Sequence, residues 1–239
     1  MADETFSEQP VNQQPVGEEI IAEPIVENHL PSPDAETIRK RFLVAIGLII
    51  LVLVLDQWLK IWIKTTFVMG EERSLIGNIG FLHFTENNGI AFGMELPGTL
   101  GKLLLTVFRI IAAVFIFAYL SRLIKKGVHQ GIIYSGALIF AGAVGNIFDS
   151  LVYGKFFTES TYDTIAKYDP GNGYSDFFHG KVVDMLYFPI LKGNYPSWVP
   201  GVGGQYFEFF QPIFNIADSS ITIGILLIII FFRRHLREL

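Results

Sequence analysis

The stretch RKRFLVAIGLIILVLVLDQWLKIWIK, residues 39–64, decides the architecture: Arg39, Lys40 and Arg41 open directly onto an apolar run over 42–63. A spanning helix needs about 20 predominantly apolar residues, because the hydrocarbon core is about 30 Å thick and each helical residue rises about 1.5 Å. Stretches of the same kind follow at 103–120, 131–153 and 213–232. The expected fold is an all-α membrane protein, with four transmembrane helices and a small extracytoplasmic β-rich loop region. The third stretch also carries Gly136, Ala137, Ala141, Gly142, Ala143 and Gly145, and such residues let helix backbones approach closely in lipid.

Composition points the same way. Of 239 residues, 51% are hydrophobic and only 17% charged, where soluble domains carry about a quarter charged. With no cysteine, disulfides, thiolate nucleophiles and thiolate metal sites are excluded. The net charge of −5 is uneven. Residues 1–38 hold Asp3, Glu4, Glu8, Glu18, Glu19, Glu23, Glu27, Asp34 and Glu36 with no Lys or Arg. The body is therefore slightly basic, with no surface for nucleic acid. Rich in Glu, Gln, Pro and Asn, the segment 1–38 reads as a disordered acidic tail, preceding a membrane domain over 39–239. It has neither the basic start nor the short apolar run of a secretory signal peptide.

Basic residues cluster before the first stretch, between the second and third (Arg122, Lys125, Lys126) and after the fourth (Arg233, Arg234, Arg237). The positive-inside rule then places both termini in the cytoplasm and turns 64–102 and 154–212 outward. In the first outer loop, 79–84 and 90–92 flank Glu86-Asn87-Asn88-Gly89, which reads as a short hairpin. The second is rich in Tyr, Phe, Gly and Pro, and its Trp198 suits a membrane interface. No internal repeat of the kind common in transporters is visible.

Ionisable groups within spanning segments are costly and need a reason. Asp56 and Lys60 lie four apart on one face of the first helix. Asn146 and Asp149 lie three apart on the third, Asn215 and Asp218 three apart at the start of the fourth, and Arg109 sits early in the second. With alternating helix direction, all fall in the outer half of the membrane. Either each pair satisfies itself or they build one polar site, and their common depth favours the site. Asp184, in apolar company before the fourth helix, can join that level and oppose Asp218. Two carboxyls sharing a site cannot both ionise cheaply, so one holds a proton while the other acts as a base. Such a pair activates water and protonates a peptide leaving group without a covalent intermediate. No H-E-x-x-H, G-x-S-x-G or P-loop is present, and neither a metal nor a cofactor is expected.

Five blocks, in order, resemble the lipoprotein signal peptidases, or signal peptidase II. They are Asp56-Gln57-Trp58-Leu59-Lys60, Asn87-Asn88-Gly89-Ile90-Ala91-Phe92, the run from Gly142 to Asp149, Val182-Val183-Asp184-Met185, and Phe214-Asn215-Ile216-Ala217-Asp218-Ser219. The resemblance implies an aspartyl endopeptidase of the bacterial cytoplasmic membrane, acting at its outer face. Its substrates would be prolipoproteins carrying diacylglycerol on a cysteine, cut just before that residue. It further implies Asp184 and Asp218 as the catalytic pair. Asn87, Gly89, Asn146, Asp149, Asn215 and Ala217 would shape the site or bind substrate, with Asp56 and Lys60 as structural support. The chain is expected to act as a monomer among membrane lipids. It departs from the family pattern twice: Ser150 stands where the family usually has Arg, and 156–178 looks like an insertion. Arg109 is the expected replacement for that charge, unless it snorkels to the headgroups. Other classes stay open: a small ion-coupled transporter using the intramembrane carboxylates, or a scaffold that binds lipoproteins through the outer loop.

Overall fold

Asp34 starts the first helix, its side chain accepting a hydrogen bond from Thr37 N at 2.7 Å, which satisfies one of the donors left open at a helix N-terminus. The computed structural model describes residues 33–88, 98–189, 191–209 and 212–235. Helix α1 runs Ala35–Lys64. It therefore begins inside the segment expected to be a tail to residue 38, because the cap precedes the basic cluster. The remainder of that tail, 1–32, lies outside the described residues.

Helix α2 spans Gly98–Lys126, longer at both ends than its apolar core of 103–120. Helix α3, Gln130–Phe148, is capped by His129. It continues through a π turn, Asp149–Tyr153, into the short α4, Gly154–Phe156. These three helical stretches are long and apolar enough to cross a membrane. The fourth apolar segment is shorter than expected. Asn215 caps α5, Ile216–Leu227, which passes into a π turn, Ile228–Phe232. The residues before it, Ile213–Phe214, form a strand instead. Pro212 in front of them cannot donate to a helix, and the Asn215 cap fixes the helix start.

The hairpin is also displaced. Strand β1, Glu72–Ile76, pairs antiparallel with β2, Gly80–Asn87, around a turn in which Gly77 takes a positive φ of 51°. Glu86 and Asn87, expected in a turn, are strand residues; 90–92 lie outside the described residues. β2 pairs with β3, Val182–Tyr187, placing Thr85 opposite Asp184 and Asn87 opposite Val182. A separate ribbon joins β4, Leu191–Asn194, to β5, Tyr206–Phe209. The two-residue strand β6, Ile213–Phe214, completes the first sheet, ordered β1-β2-β3-β6.

Two packing features position the site. Under the sheet, Ile63 and Phe67 meet Leu82, Phe84, Tyr153, Phe157, Val183 and Met185 in one buried cluster. Along the helices, α3 and α5 approach through small residues. A Cβ on Gly142 would lie 2.2 Å from the Ala217 carbonyl oxygen, and one on Gly145 would lie 2.9 Å from Asp56 Oδ2. The small residues of the third stretch thus serve close approach. Apolar side chains such as Leu51, Val54, Phe108 and Phe115 point outward, as a helix in lipid requires.

Candidate functional site

At the base of the polar cluster, Lys60 is fully buried. Its ammonium lies 2.9 Å from Asp56 Oδ2, 2.8 Å from Asp149 Oδ2 and 2.9 Å from Asn146 Oδ1. An ammonium has three donors, and here all three have partners. The pair expected within α1 is therefore a triad that reaches α3. Asp56 Oδ1 accepts from the backbone N–H of Ala217 at 2.9 Å, tying the start of α5 to α1. Asp149 accepts from Gln57 Nε2 at 2.9 Å and from the Val183 N–H at 3.2 Å, tying β3 to the same point. Tyr153, the last residue of the π turn, donates to Gln57 Oε1 at 3.0 Å. Neither Gln57 nor Tyr153 is among the residues singled out from the sequence. Gln57 lies inside the quoted Asp56–Lys60 block, and its amide in an apolar run is the available signal.

Above the triad, Asn215 distributes the remaining contacts. Its Oδ1 accepts from the Asp218 backbone N–H at 2.8 Å, while its Nδ2 donates to Asp184 Oδ1 at 2.7 Å and to Asn146 Oδ1 at 3.1 Å. Asn146 Nδ2 donates to Asp218 Oδ1 at 2.7 Å. Asp184 and Asp218 are thereby joined through two asparagines whose amides can point only one way: each oxygen faces a donor and each nitrogen a carboxylate. Asn87 Nδ2 reaches Asp184 Oδ2 at 3.5 Å. Asp184 is buried, and Asp218 half-buried. Burial, followed by the neighbouring Asp218 charge, pushes Asp184 up to about 7. That suits a carboxyl able to hold a proton near neutral pH beside a second carboxyl acting as a base.

Arg109 turns inward, its Nη1 donating to Ser150 Oγ at 3.2 Å, and Ser150 in turn donates to the Asn146 carbonyl at 3.1 Å. Through Ser150 it reaches the Asn146 carbonyl and so the edge of the Asp149–Asp218 cluster. Gly89 lies outside the described residues. The other residues singled out from the sequence, Asp56, Lys60, Asn87, Arg109, Asn146, Asp149, Asp184, Asn215, Ala217 and Asp218, converge from α1, α2, α3, α5 and the sheet.

Comparison with known proteins follows the same outline. The family model for signal peptidase (SPase) II matches residues 48–234. The lipoprotein signal peptidase of Porphyromonas gingivalis is 45% identical over 192 residues, covering 80% of this chain and 83% of that protein. That of Amoebophilus asiaticus is 35% identical over 195 residues, covering 80% and 78%. A solved bacterial membrane enzyme superposes with a TM-score of 0.53 at 27% identity, over 80% of this chain and 88% of that one.

Proposed function

The chain belongs to the signal peptidase II family, and from that premise we propose that it is an aspartyl endopeptidase of the bacterial inner membrane. It removes the signal peptide from diacylglyceryl-modified prolipoproteins, cutting before the lipidated cysteine. The observation that carries this reading is the joining of Asp184 and Asp218 through Asn215 and Asn146. Asp218, as carboxylate, takes a proton from water. The resulting hydroxide adds to the carbonyl preceding the cysteine, forming a tetrahedral intermediate. Asp184, as carboxylic acid, gives its proton to the departing nitrogen, so the C–N bond breaks to a carboxyl terminus and a free amine on the lipidated cysteine. Asn87 and Asn215 orient Asp184, Asn146 orients Asp218, and Asp149 with the Asp56–Lys60 pair holds the helices that carry them. Ala217, fully buried with its N–H on Asp56, shapes the site from within, and Gly89 keeps the substrate-binding role that the family pattern gives it. In this reading α5 and its π turn form the fourth span, both termini are cytoplasmic, and the site opens at the outer face. A single chain supplies every site residue and acts as a monomer, with lipids and prolipoproteins as its partners. An ion path is disfavoured because Asp56 and Asp149 are already engaged by Lys60.

The test is direct: purified protein in detergent cleaves a diacylglyceryl lipobox peptide and leaves the unlipidated peptide intact. No cleavage would overturn the assignment. The rate should fall as pH rises through about 7, because Asp184 then loses the proton it must donate. The limb belongs to the coupled pair rather than to one residue. A rate that keeps rising above that pH counts against Asp184 as the acid. Orientation is checked with single cysteines in this cysteine-free chain. Asn172→Cys, at an exposed position, should be labelled only from outside; labelling from the cytoplasm alone would reverse the topology.

Arg109 supplies the charge that the missing family arginine leaves at Ser150. Arg109→Gln should lower kcat/KM by about tenfold, and adding Ser150→Arg should restore part of it. A double-mutant cycle reads the coupling. Purely additive effects without rescue would show that the two positions do not serve the same carboxylates.

A further inference from the structure

Glu86 precedes the last residue of β2, and its side chain lies on the face opposite Asn87, since strand side chains alternate. That face is closed. Lys64, at the end of α1, ion-pairs with Glu86, the two side chains being 0% and 1% exposed. Ser160 completes a ring: its hydroxyl accepts from Lys64 Nζ at 2.9 Å and donates to Glu86 Oε1 at 2.9 Å. Lys181 Nζ lies 3.5 Å from Glu86 Oε2. The Tyr174 ring lies between the two lysines, 5.0 Å from Lys64 Nζ and 5.2 Å from Lys181 Nζ. Ser160 and Tyr174 both belong to 156–178, the stretch that departs from the family pattern. That stretch is fastened to the molecule by the Met69 N–H donating to the Thr161 carbonyl at 3.0 Å and by buried Ala166. A buried ion pair is a poor source of stability compared with an apolar replacement, and its best-attested use is to fix one arrangement among several.

The arrangement fixed here is the end of β2. Glu86 stands opposite Val183 and Asn87 opposite Val182 in the register that sets β2 against β3. At 3.5 Å the Asn87–Asp184 contact is at the limit of a hydrogen bond, so a displacement of a few tenths of an ångström removes it. We propose that Glu86 is a positioning residue, clamped by Lys64 and by Ser160 of the 156–178 segment so that Asn87 stays on Asp184. The proposal rests on the reading of Asp184 as half of the catalytic pair. It gives the segment a purpose in turnover although none of the residues forming the clamp touches either catalytic carboxyl.

The experiment uses the full chain in detergent and a lipidated lipobox peptide. It compares Glu86→Gln, Ser160→Ala, Asn87→Ala, both double variants with Asn87→Ala, and Asp184→Asn. Glu86→Gln and Ser160→Ala should each lower kcat, by about tenfold and about threefold, with KM held within about twofold. In the Asn87→Ala background, neither should lower kcat further. Equal losses with and without Asn87 would overturn the clamp, as would unchanged kcat in both single variants or an effect confined to KM. Should Glu86→Gln fail to fold, Ser160→Ala decides, because it keeps the ion pair. Retained activity in Asp184→Asn would overturn the catalytic reading itself. An inactive Asp184→Asn accompanied by additive Glu86 and Asn87 effects would overturn the clamp alone.

Discussion

Asp184→Asn or Asp218→Asn should each remove turnover, by about a thousandfold or more, while the chain still folds and binds its lipopeptide. In the proposed cycle each carboxyl exchanges a proton, and an amide cannot. At 184 the change should not weaken the fold. Folded Asp184 is pushed up to about 7 from an ordinary value of 3.8, so the native state holds its proton more tightly than the unfolded chain does. Its contribution to stability is complete below the lower value and is lost progressively as pH rises to the upper one. An amide at that position has no such dependence, so Asp184→Asn should be at least as stable as the parent protein above neutral pH. Single-turnover cleavage, lipopeptide binding and thermal melts in the same detergent separate the effects. More than a few per cent of parental turnover in either variant would remove that residue from the mechanism.

Lys60→Met should produce the largest loss of stability. The ammonium faces two buried carboxylates and an amide oxygen. Without it, Asp56 and Asp149 confront each other where charge is poorly solvated. Breaking a buried ion pair by removing one partner costs about 3–5 kcal/mol. The damage extends beyond Lys60, because Asp56 holds the Ala217 N–H and Asp149 the Val183 N–H, the two backbone points next to Asp218 and Asp184. Melting should therefore occur at lower temperature, and activity should be lost well below it. Combining Lys60→Met with Asp56→Asn and Asp149→Asn should recover part of the stability, because no unpaired charge is left buried. A triple variant no more stable than Lys60→Met would show that the loss is one of packing.

What the sequence discloses depends on how far a constraint reaches along the chain. Residues 42–63 read as a helix because bilayer thickness imposes its own length on any spanning segment. Asp56 and Lys60 read as partners because four residues bring them to one face. Asp149 groups with Asn146 for the same reason, whereas its ion pair with Lys60 is invisible, since nothing local reveals a contact across two helices. The turn at Gly77 is masked by Glu86-Asn87-Asn88-Gly89, whose polarity suits a turn better. In its strand, Glu86 has its Oε1 engaged by Lys64 and Ser160, which come from distant parts of the sequence. The fourth segment starts late for a related reason. Ile213 and Phe214 are apolar enough for a helix, but β3 and the Asn215 cap claim them first. Type, depth and the family pattern nominate Asp184 and Asp218. Their bridge through Asn215 and Asn146 arises only where the third helix, the sheet and the start of the fourth segment meet in space.

The close seam between α3 and α5 has one further meaning. The Ala217 carbonyl occupies the space that a side chain at 142 would need, with Ile221 beside it, so at this point main chain faces main chain across the two helices. Side chains swap rotamers and lipids exchange, but a backbone-on-backbone contact has little play. A seam of this kind is expected to hold its spacing when the surrounding bilayer thins or thickens. The 2.7 Å reach from Asn146 to Asp218 spans that same seam, so its length should depend on main chain more than on the fluid around it.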